Sequence, residues 1–218
     1  MDISENIQQL KKELPEGVTL VAISKTKPNE DIMEAYKTGH RIFGENKAQE
    51  MTGKWEELPK DIEWHMVGHL QRNKVKYIAP YVALIHSVDS PRLLKEVNKQ
   101  ARKEERIINC LLQVKIAEED SKYGLSMAET EELLASEKFK SYNHITVIGL
   151  MGMATFTDDK EQLQRELGSL EKFYNKLKDQ YGFTQLSMGM SGDYQIAINH
   201  GSTMVRVGSA IFGERNYS

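Results

Sequence analysis

Eight short polar or glycine-rich runs, each at the end of an apolar stretch, hold most of the residues in this chain that can do chemistry. They are Ser24-Lys25-Thr26-Lys27, Gly44-Glu45-Asn46, His65-Met66-Val67-Gly68-His69, His86-Ser87-Val88-Asp89, Lys115, Gly152-Met153-Ala154, Met188-Gly189-Met190-Ser191 and Arg206-Val207-Gly208-Ser209. Lys25 directly follows Leu20-Val21-Ala22-Ile23. A lysine at the edge of an apolar cavity loses hydration of its ammonium, its pKa falls, and the amine becomes a nucleophile for carbonyl carbon. A solvated strand-end lysine is the plain alternative, and Lys27, against Pro28, belongs to the loop. The C-terminal runs are built for an anion. Small residues in Gly189-Met190-Ser191-Gly192-Asp193 and Gly208-Ser209-Ala210 let backbone N–H groups approach closely, and Ser191 and Ser209 add hydroxyl donors. An ordinary N-cap followed by a turn reads the same way. Arg206 sits inside Met204-Val205-Arg206-Val207; a buried guanidinium keeps its charge, so it is either paired or aimed at a ligand.

The histidines say less. His65 and His69 are four apart, but across a strand-to-loop junction, and no HExxH is present, which argues against zinc. His86 ends a strand and is a polar group for the site, while His40, His144 and His200 read as surface or satisfied histidines. Hydrolase, P-loop and dinucleotide fingerprints are missing. The methionines at 151–153 and 188–190 read as core, and the single cysteine, Cys110, reads as a buried thiol in Ile107-Ile108-Asn109-Cys110-Leu111-Leu112.

These runs must be positioned by the elements around them. Ile3, Ile7, Leu10 and Leu14 predict a leading helix. Strands are expected at 18–23, 41–44, 62–67, 81–88, 107–114, 145–151, 186–188 and 204–207. Helices are expected after them, with Pro28 in a first turn, Gly39 at a C-terminus, and segments at 46–57, 70–78, 127–134, 160–177 and 193–199; another carries Leu93, Leu94, Val97 and Ala101. Several strands are continuously apolar, as parallel strands covered on both faces must be. Eight β-α repeats favour a closed (β/α)8 TIM barrel with an extra N-terminal helix over an open doubly wound sheet. In such a barrel the eight polar runs meet at one mouth.

With 218 residues, no linker and no repeat, residues 1–218 are expected to form a single domain. The net charge of −3 and the missing polybasic block argue against a nucleic-acid binder held by phosphate neutralisation. The polar N-terminus is not a signal peptide, and no apolar run approaches the ~18 residues of a membrane span, so a cytoplasmic protein without membrane contact is expected.

Longer blocks carry a resemblance. Val21-Ala22-Ile23-Ser24-Lys25-Thr26-Lys27-Pro28, Phe43-Gly44-Glu45-Asn46-Lys47-Ala48-Gln49-Glu50, Trp64-His65-Met66-Val67-Gly68-His69-Leu70-Gln71-Arg72-Asn73-Lys74, His86-Ser87-Val88-Asp89-Ser90, Lys122-Tyr123-Gly124, Gly149-Leu150-Met151-Gly152-Met153, Leu186-Ser187-Met188-Gly189-Met190-Ser191 and Gly201-Ser202-Thr203-Met204-Val205-Arg206-Val207-Gly208 keep their order and cover most of the chain. In these blocks it resembles the YggS/PROSC-type pyridoxal-5′-phosphate (PLP) homeostasis proteins, stand-alone barrels related to the N-terminal domain of bacterial alanine racemase. The resemblance implies a cofactor-binding barrel in which Lys25 forms an internal aldimine with PLP. It implies that Ser191, Gly208 and Ser209 hold the phosphate, that Arg206 faces the pyridine nitrogen, and that Asn46 and His86 line the cavity. Lys115 stands where the family pattern leads one to expect Asn.

Chemistry sharpens that expectation. An arginine cannot accept the proton that an acidic residue would share with the pyridine nitrogen, so the ring is a poor electron sink. Racemisation also needs an acid or base on each face of the substrate carbon, which a second domain supplies in the racemases; with the chain ending at Ser218, none is expected here. A monomer that holds PLP and releases it, to PLP-dependent apoenzymes among others, is expected ahead of a weak or specialised amino-acid racemase completed by dimerisation. A sugar-phosphate enzyme that uses the phosphate site without Lys25 is a third reading.

Overall fold

The computed structural model describes residues 2–118 and 123–213; Lys122, quoted above, lies outside them. Eight parallel strands close into a barrel in sequence order: β1 (Thr19–Ile23), β2 (Ile42–Glu45), β3 (Glu63–Met66), β4 (Leu84–Val88), β5 (Ile108–Gln113), β6 (Ile145–Met151), β7 (Gln185–Met190) and β8 (Met204–Val207). The expected barrel is what the chain forms. Closure comes from β1 against β8, with Val21 opposite Arg206 and Ala22 opposite Val207.

Around it lie α2 (Asn29–Lys37), α3 (Ala48–Glu57), α4 (Val75–Ile78), α5 (Pro91–Lys103), α6 (Met127–Ala135), α7 (Glu137–Lys140), α8 (Lys160–Tyr181), α9 (Tyr194–Asn199) and α10 (Ser209–Phe212). The leading helix α1 (Ile3–Glu13), capped by Asp2, packs on α2 and α10 with Ile3, Ile7 and Leu10 buried. It completes the outer layer where the helix after β8 is only four residues long. Local signals explain the boundaries. Ser90 caps α5 with Pro91 in its first turn, Ser126 and Glu129 form a capping box on α6, and Gly182, at φ +67°, ends α8 in the left-handed region that glycine adopts without penalty.

The expected helix over 70–78 is largely replaced. Leu70 is a buried anchor before a 3-10 turn (Arg72–Lys74) that runs into α4; the spacing of Leu70, Val75 and Ile78 mimics a helical stripe. Likewise β4 begins only at Leu84, and Ser136 starts an extra helical turn, α7, by accepting from the Phe139 N–H. No helix among the described residues is long and apolar enough to cross a membrane.

The interior is layered. Val21, Leu84, Leu111, Met151 and Met204 form an apolar plug inside the barrel. Two residues further along a strand, on the same face, the plug turns polar: Leu84 gives way to His86 and Met204 to Arg206. The cofactor-type residues therefore stand on a packed floor.

Candidate cofactor site at the barrel mouth

Lys25 is half-buried in the turn that leaves β1. Ser24 C=O accepts the Lys27 N–H at 3.0 Å, closing a four-residue turn with Lys25 and Thr26 at its centre. Thr26 has φ +64°, a conformation that glycine or asparagine normally supplies at this place in a turn. A β-branched residue there costs ~1–3 kcal/mol and persists only where the surroundings hold it.

They do. Lys54, on α3 and nearly buried, donates to Ser24 C=O at 2.8 Å, to Glu45 Oε1 at 2.7 Å and to Glu50 Oε1 at 2.7 Å. Glu45 Oε1 also accepts from the Ser24 hydroxyl at 2.7 Å, and Glu50 Oε1 from the Thr26 N–H at 2.6 Å. The second oxygen of Glu45 is buried without a hydrogen bond, and burial pushes this carboxyl above the usual range against the pull of Lys54 and Ser24.

The anion-type runs come together beside this turn. The Gly208 N–H donates to Ser191 Oγ at 3.3 Å, so the loops after β7 and β8 are one hydrogen bond apart. The β1–β8 pairing sets Gly208 against Ile23; a Cβ at Gly208 would lie 3.2 Å from the Ile23 carbonyl. Ser209 is exposed and opens α10. Lys27 Nζ caps the far end of α10 through Phe212 C=O at 2.8 Å, tying the Lys25 loop to the helix that carries Ser209.

Arg206 is buried, with 4% exposure. The sequence left open an ion pair or a ligand. Its hydrogen bonds go to neutral acceptors, Ser187 Oγ at 2.6 Å and Gly152 C=O at 2.9 Å, and Asp193 reaches it only as a longer-range charge. Burial lowers the guanidinium pKa to about 10, so Arg206 stays charged at neutral pH. Two of its five N–H donors are used among the described residues, and the others are open to a ligand.

His86 stands wholly buried behind Arg206, with Nδ1 2.9 Å from Ser187 Oγ and Nε2 2.9 Å from His65 Nδ1. Arg206 donates to Ser187, since arginine can only donate. The two remaining contacts are met either by the hydroxyl donating to His86 and the His86 Nε2–H to His65, or by the reverse pair of tautomers, with Ser187 accepting twice. Both rings are neutral, as burial lowers His65 to about 3 and holds His86 well below the ordinary range.

Asn46 is half-buried where the chain leaves β2, and its Oδ1 is buried without a hydrogen bond. Gly68 makes this position possible. A Cβ there would lie 2.4 Å from Asn46 O and 2.6 Å from its Cα, backbone that cannot step aside. Gly68→Ala is expected to cost ~1–3 kcal/mol and to displace Asn46, read as a lower urea midpoint together with weaker PLP binding; unchanged values for both would show that the loop accommodates the methyl group.

Opposite, Glu166 on α8 joins the loops after β5 and β6 by accepting from Glu118 N, Thr155 N, Thr155 Oγ1 and Gln162 Nε2. Burial acts to raise its pKa, and these bonds hold it below the usual range. A cleft of about 770 Å³ lies to one side of the mouth, lined by His69, Arg72, Asp89 and Arg92, and touches none of Lys25, Ser191, Arg206, Gly208 or Ser209.

All seven residues singled out by sequence lie at the C-terminal end of the barrel. Lys25 follows β1, Arg206 lies on the adjacent β8 with Gly208 and Ser209 directly after it, and Ser191 follows β7 beside them. Asn46 stands across β1 on β2, and His86 is part of the floor. Sequence reasoning missed Ser187, which links Arg206 to His86, and the Glu45–Glu50–Lys54 group around the Lys25 turn. No group of three or more His, Cys, Asp or Glu able to hold a metal occurs among the described residues.

The groups present fit PLP: hydroxyl and backbone N–H groups suited to a phosphate, a buried cation with further N–H groups suited to a ring nitrogen, an amide oxygen without a hydrogen bond, and a lysine in the turn after the neighbouring strand. Comparison with known proteins agrees. The profile "Alanine racemase, N-terminal domain" matches residues 2–216. A pyridoxal phosphate homeostasis protein from Vibrio alginolyticus is 40% identical, over 94% of this chain and 89% of its own. The one from Escherichia coli K12 is 36% identical, over 100% and 98%. Among solved structures, PipY of Synechococcus elongatus with PLP bound superimposes with a TM-score of 0.88 at 33% identity, covering 97% of this chain and 100% of that one. Alanine racemase of Clostridium difficile shares the fold, with a TM-score of 0.80 at 14% identity; this chain covers 58% of it. From the closed eight-stranded barrel, the residues gathered at its mouth and these matches, the chain belongs to the pyridoxal phosphate homeostasis proteins of the alanine racemase N-terminal domain family.

Proposed function

We propose that this protein binds pyridoxal 5′-phosphate at the barrel mouth and serves its homeostasis, holding the cofactor covalently through Lys25 and releasing it. The observation that carries this is the β1–β8 closure, which sets the Lys25 turn beside the Ser191–Gly208 donors with Arg206 beneath. The cofactor supplies an aldehyde carbon with which an amine combines reversibly. Ser191, Gly208 and Ser209 bind its phosphate, Arg206 donates toward the ring nitrogen, Asn46 contacts the ring, and His86 orients Arg206 through Ser187.

Amino-acid turnover is not favoured. Arg206 cannot share a proton with the ring nitrogen as a carboxylic acid would, so charge building up in a substrate carbanion gains little from the ring. A carrier, by contrast, needs reversible capture and nothing further. We place the chain as a monomer in the cytoplasm, passing PLP to apoenzymes that depend on it.

The test is the near-visible spectrum of wild type and Lys25→Ala after incubation with PLP, before and after borohydride. Wild type should show the band of a lysine–cofactor bond, and reduction should fix the cofactor mass on the peptide containing Lys25. The folded Lys25→Ala protein should show neither. Folded wild type without a band would overturn the reading and leave a phosphate-site barrel enzyme in its place.

A further inference from the structure

Lys54 spends all three of its N–H donors around one turn. One goes to Ser24 C=O, one to Glu45, which holds the Ser24 hydroxyl, and one to Glu50, which holds the Thr26 N–H. Ser24 and Thr26 are the two neighbours of Lys25 in the chain. The group is buried to a degree that ordinary surface ion pairs are not: side-chain exposure is 8% for Lys54, 0% for Glu45 and 24% for Glu50. Exposed pairs contribute little and move freely. This one is fixed on two elements, β2 and α3, and grips a backbone that is strained at Thr26.

We infer that Lys54, Glu45 and Glu50 are positioning residues for Lys25. They lock the Ser24–Lys27 turn with Thr26 left-handed, so that the Lys25 amine is presented to a carbonyl carbon in one fixed direction. This rests on the reading that Lys25 captures PLP: the amine nitrogen adds to the aldehyde carbon, a C=N bond forms, and the aldehyde oxygen leaves as water. None of the three residues needs to touch the cofactor. Their work is orientation, and errors of about an ångström in such placement cost roughly a hundredfold in rate.

The chain supplies its own controls. Glu50→Ala removes the acceptor for the Thr26 N–H; Glu50→Gln keeps an acceptor oxygen and removes the charge. Thr26→Gly keeps the N–H and relieves the strain, so the clamp still closes. Two ligands separate positioning from general damage: PLP, and pyridoxine 5′-phosphate, which keeps the ring and phosphate but has an alcohol where the aldehyde was. Amide hydrogen exchange at residues 24–27 of the cofactor-free protein reads the clamp without any ligand.

Glu50→Ala should slow capture of PLP by roughly ten- to a hundredfold, speed exchange at Thr26, and leave pyridoxine 5′-phosphate affinity within about twofold, a change that RT ln 2 makes smaller than most contact effects. Glu50→Gln and Thr26→Gly should capture PLP at close to the wild-type rate. Capture by Glu50→Ala as fast as by wild type would overturn the clamp alone, as would a parallel loss of both ligands, which marks a merely structural role. Wild type that captures no PLP would overturn the underlying reading and the clamp with it.

Discussion

Between pH 6.5 and pH 4 this fold should lose stability steeply, by about 4 kcal/mol per pH unit when its three buried histidines are counted together. His40, His65 and His86 are 4%, 4% and 0% exposed. Burial lowers His40 to about 4 and His65 to about 3, and drives His86 well below its ordinary range. In the unfolded chain each takes up a proton below about 6.5; in the folded chain each stays neutral. The unfolded state then binds more protons, so stability falls as pH falls, by about 1.4 kcal/mol per unit for each ring. Their contribution is complete above pH 6.5 and is lost as the folded values are approached. Glu45 acts in the opposite sense, because its folded pKa is raised and the native state takes a proton early, but it is one group against three. Against a total of ~5–15 kcal/mol, two pH units remove a large share of the stability. Urea midpoints measured from pH 7.5 to pH 4.5 check this, and His86→Gln should flatten the slope by about a third. A flat profile down to pH 5 would mean that the rings are protonated in the fold, and the contact between His65 and His86 would then set two N–H donors against each other.

The link from Arg206 through Ser187 to His86 also shows where sequence reasoning reached and where it stopped. The barrel was legible because its signals are local and repeated: apolar runs of strand length, a Pro or a cap after some of them, as at Pro28 and Ser90-Pro91, and polar or glycine-rich runs at one end of every strand. Lys25, Ser191, Arg206, Gly208 and Ser209 were legible for the same reason, since each sits at a strand end where a barrel gathers its loops. Arg206 could be flagged as a buried charge but not assigned a partner, because Ser187 lies nineteen residues away and a serine in Leu186-Ser187-Met188 looks like any small strand residue. Lys54 was invisible. On α3 it falls among Gly53, Trp55, Glu56 and Glu57 and reads as a solvated helix lysine, and only the packing of α3 on β2 and β3, beside the turn after β1, buries it. Thr26 is the sharpest case. Nothing in a threonine announces positive φ, and the strain exists only because partners on β2 and α3 enforce it. The helix expected over 70–78 failed for the converse reason: a periodic apolar pattern arose from one anchor residue and one short helix.

Lys54→Met should destabilise the fold by up to about 3 kcal/mol at pH 7, and the size follows from what Glu45 would then do. Its carboxyl is fully buried with one oxygen already lacking a hydrogen bond. Without the ammonium 2.7 Å away it cannot stay charged inside the barrel wall, and the cheapest escape is to bind a proton. Protonating a carboxyl of ordinary pKa 4.5 at pH 7 costs about 2.5 pH units at 1.36 kcal/mol each, or about 3.4 kcal/mol. This is the upper limit for the charge, and it lies at the low end of the ~3–5 kcal/mol typical of breaking one partner of a buried pair. Glu50 adds little, since it is part-exposed and can turn to water. Ser24 C=O keeps the Lys27 N–H as a donor. Because the penalty is a proton, it should shrink by about 1.4 kcal/mol for each pH unit below 7, opposite in sign to the trend of the histidines, so wild type and variant should converge where Glu45 takes up its proton in the wild-type fold, above the ordinary 4.5. Glu45→Gln added to Lys54→Met should recover most of the loss at pH 7, since a neutral amide keeps an acceptor for the Ser24 hydroxyl and leaves no buried charge. A Lys54→Met penalty that is independent of pH would show that packing of the lysine stem, and not its charge, holds the Lys25 turn in place.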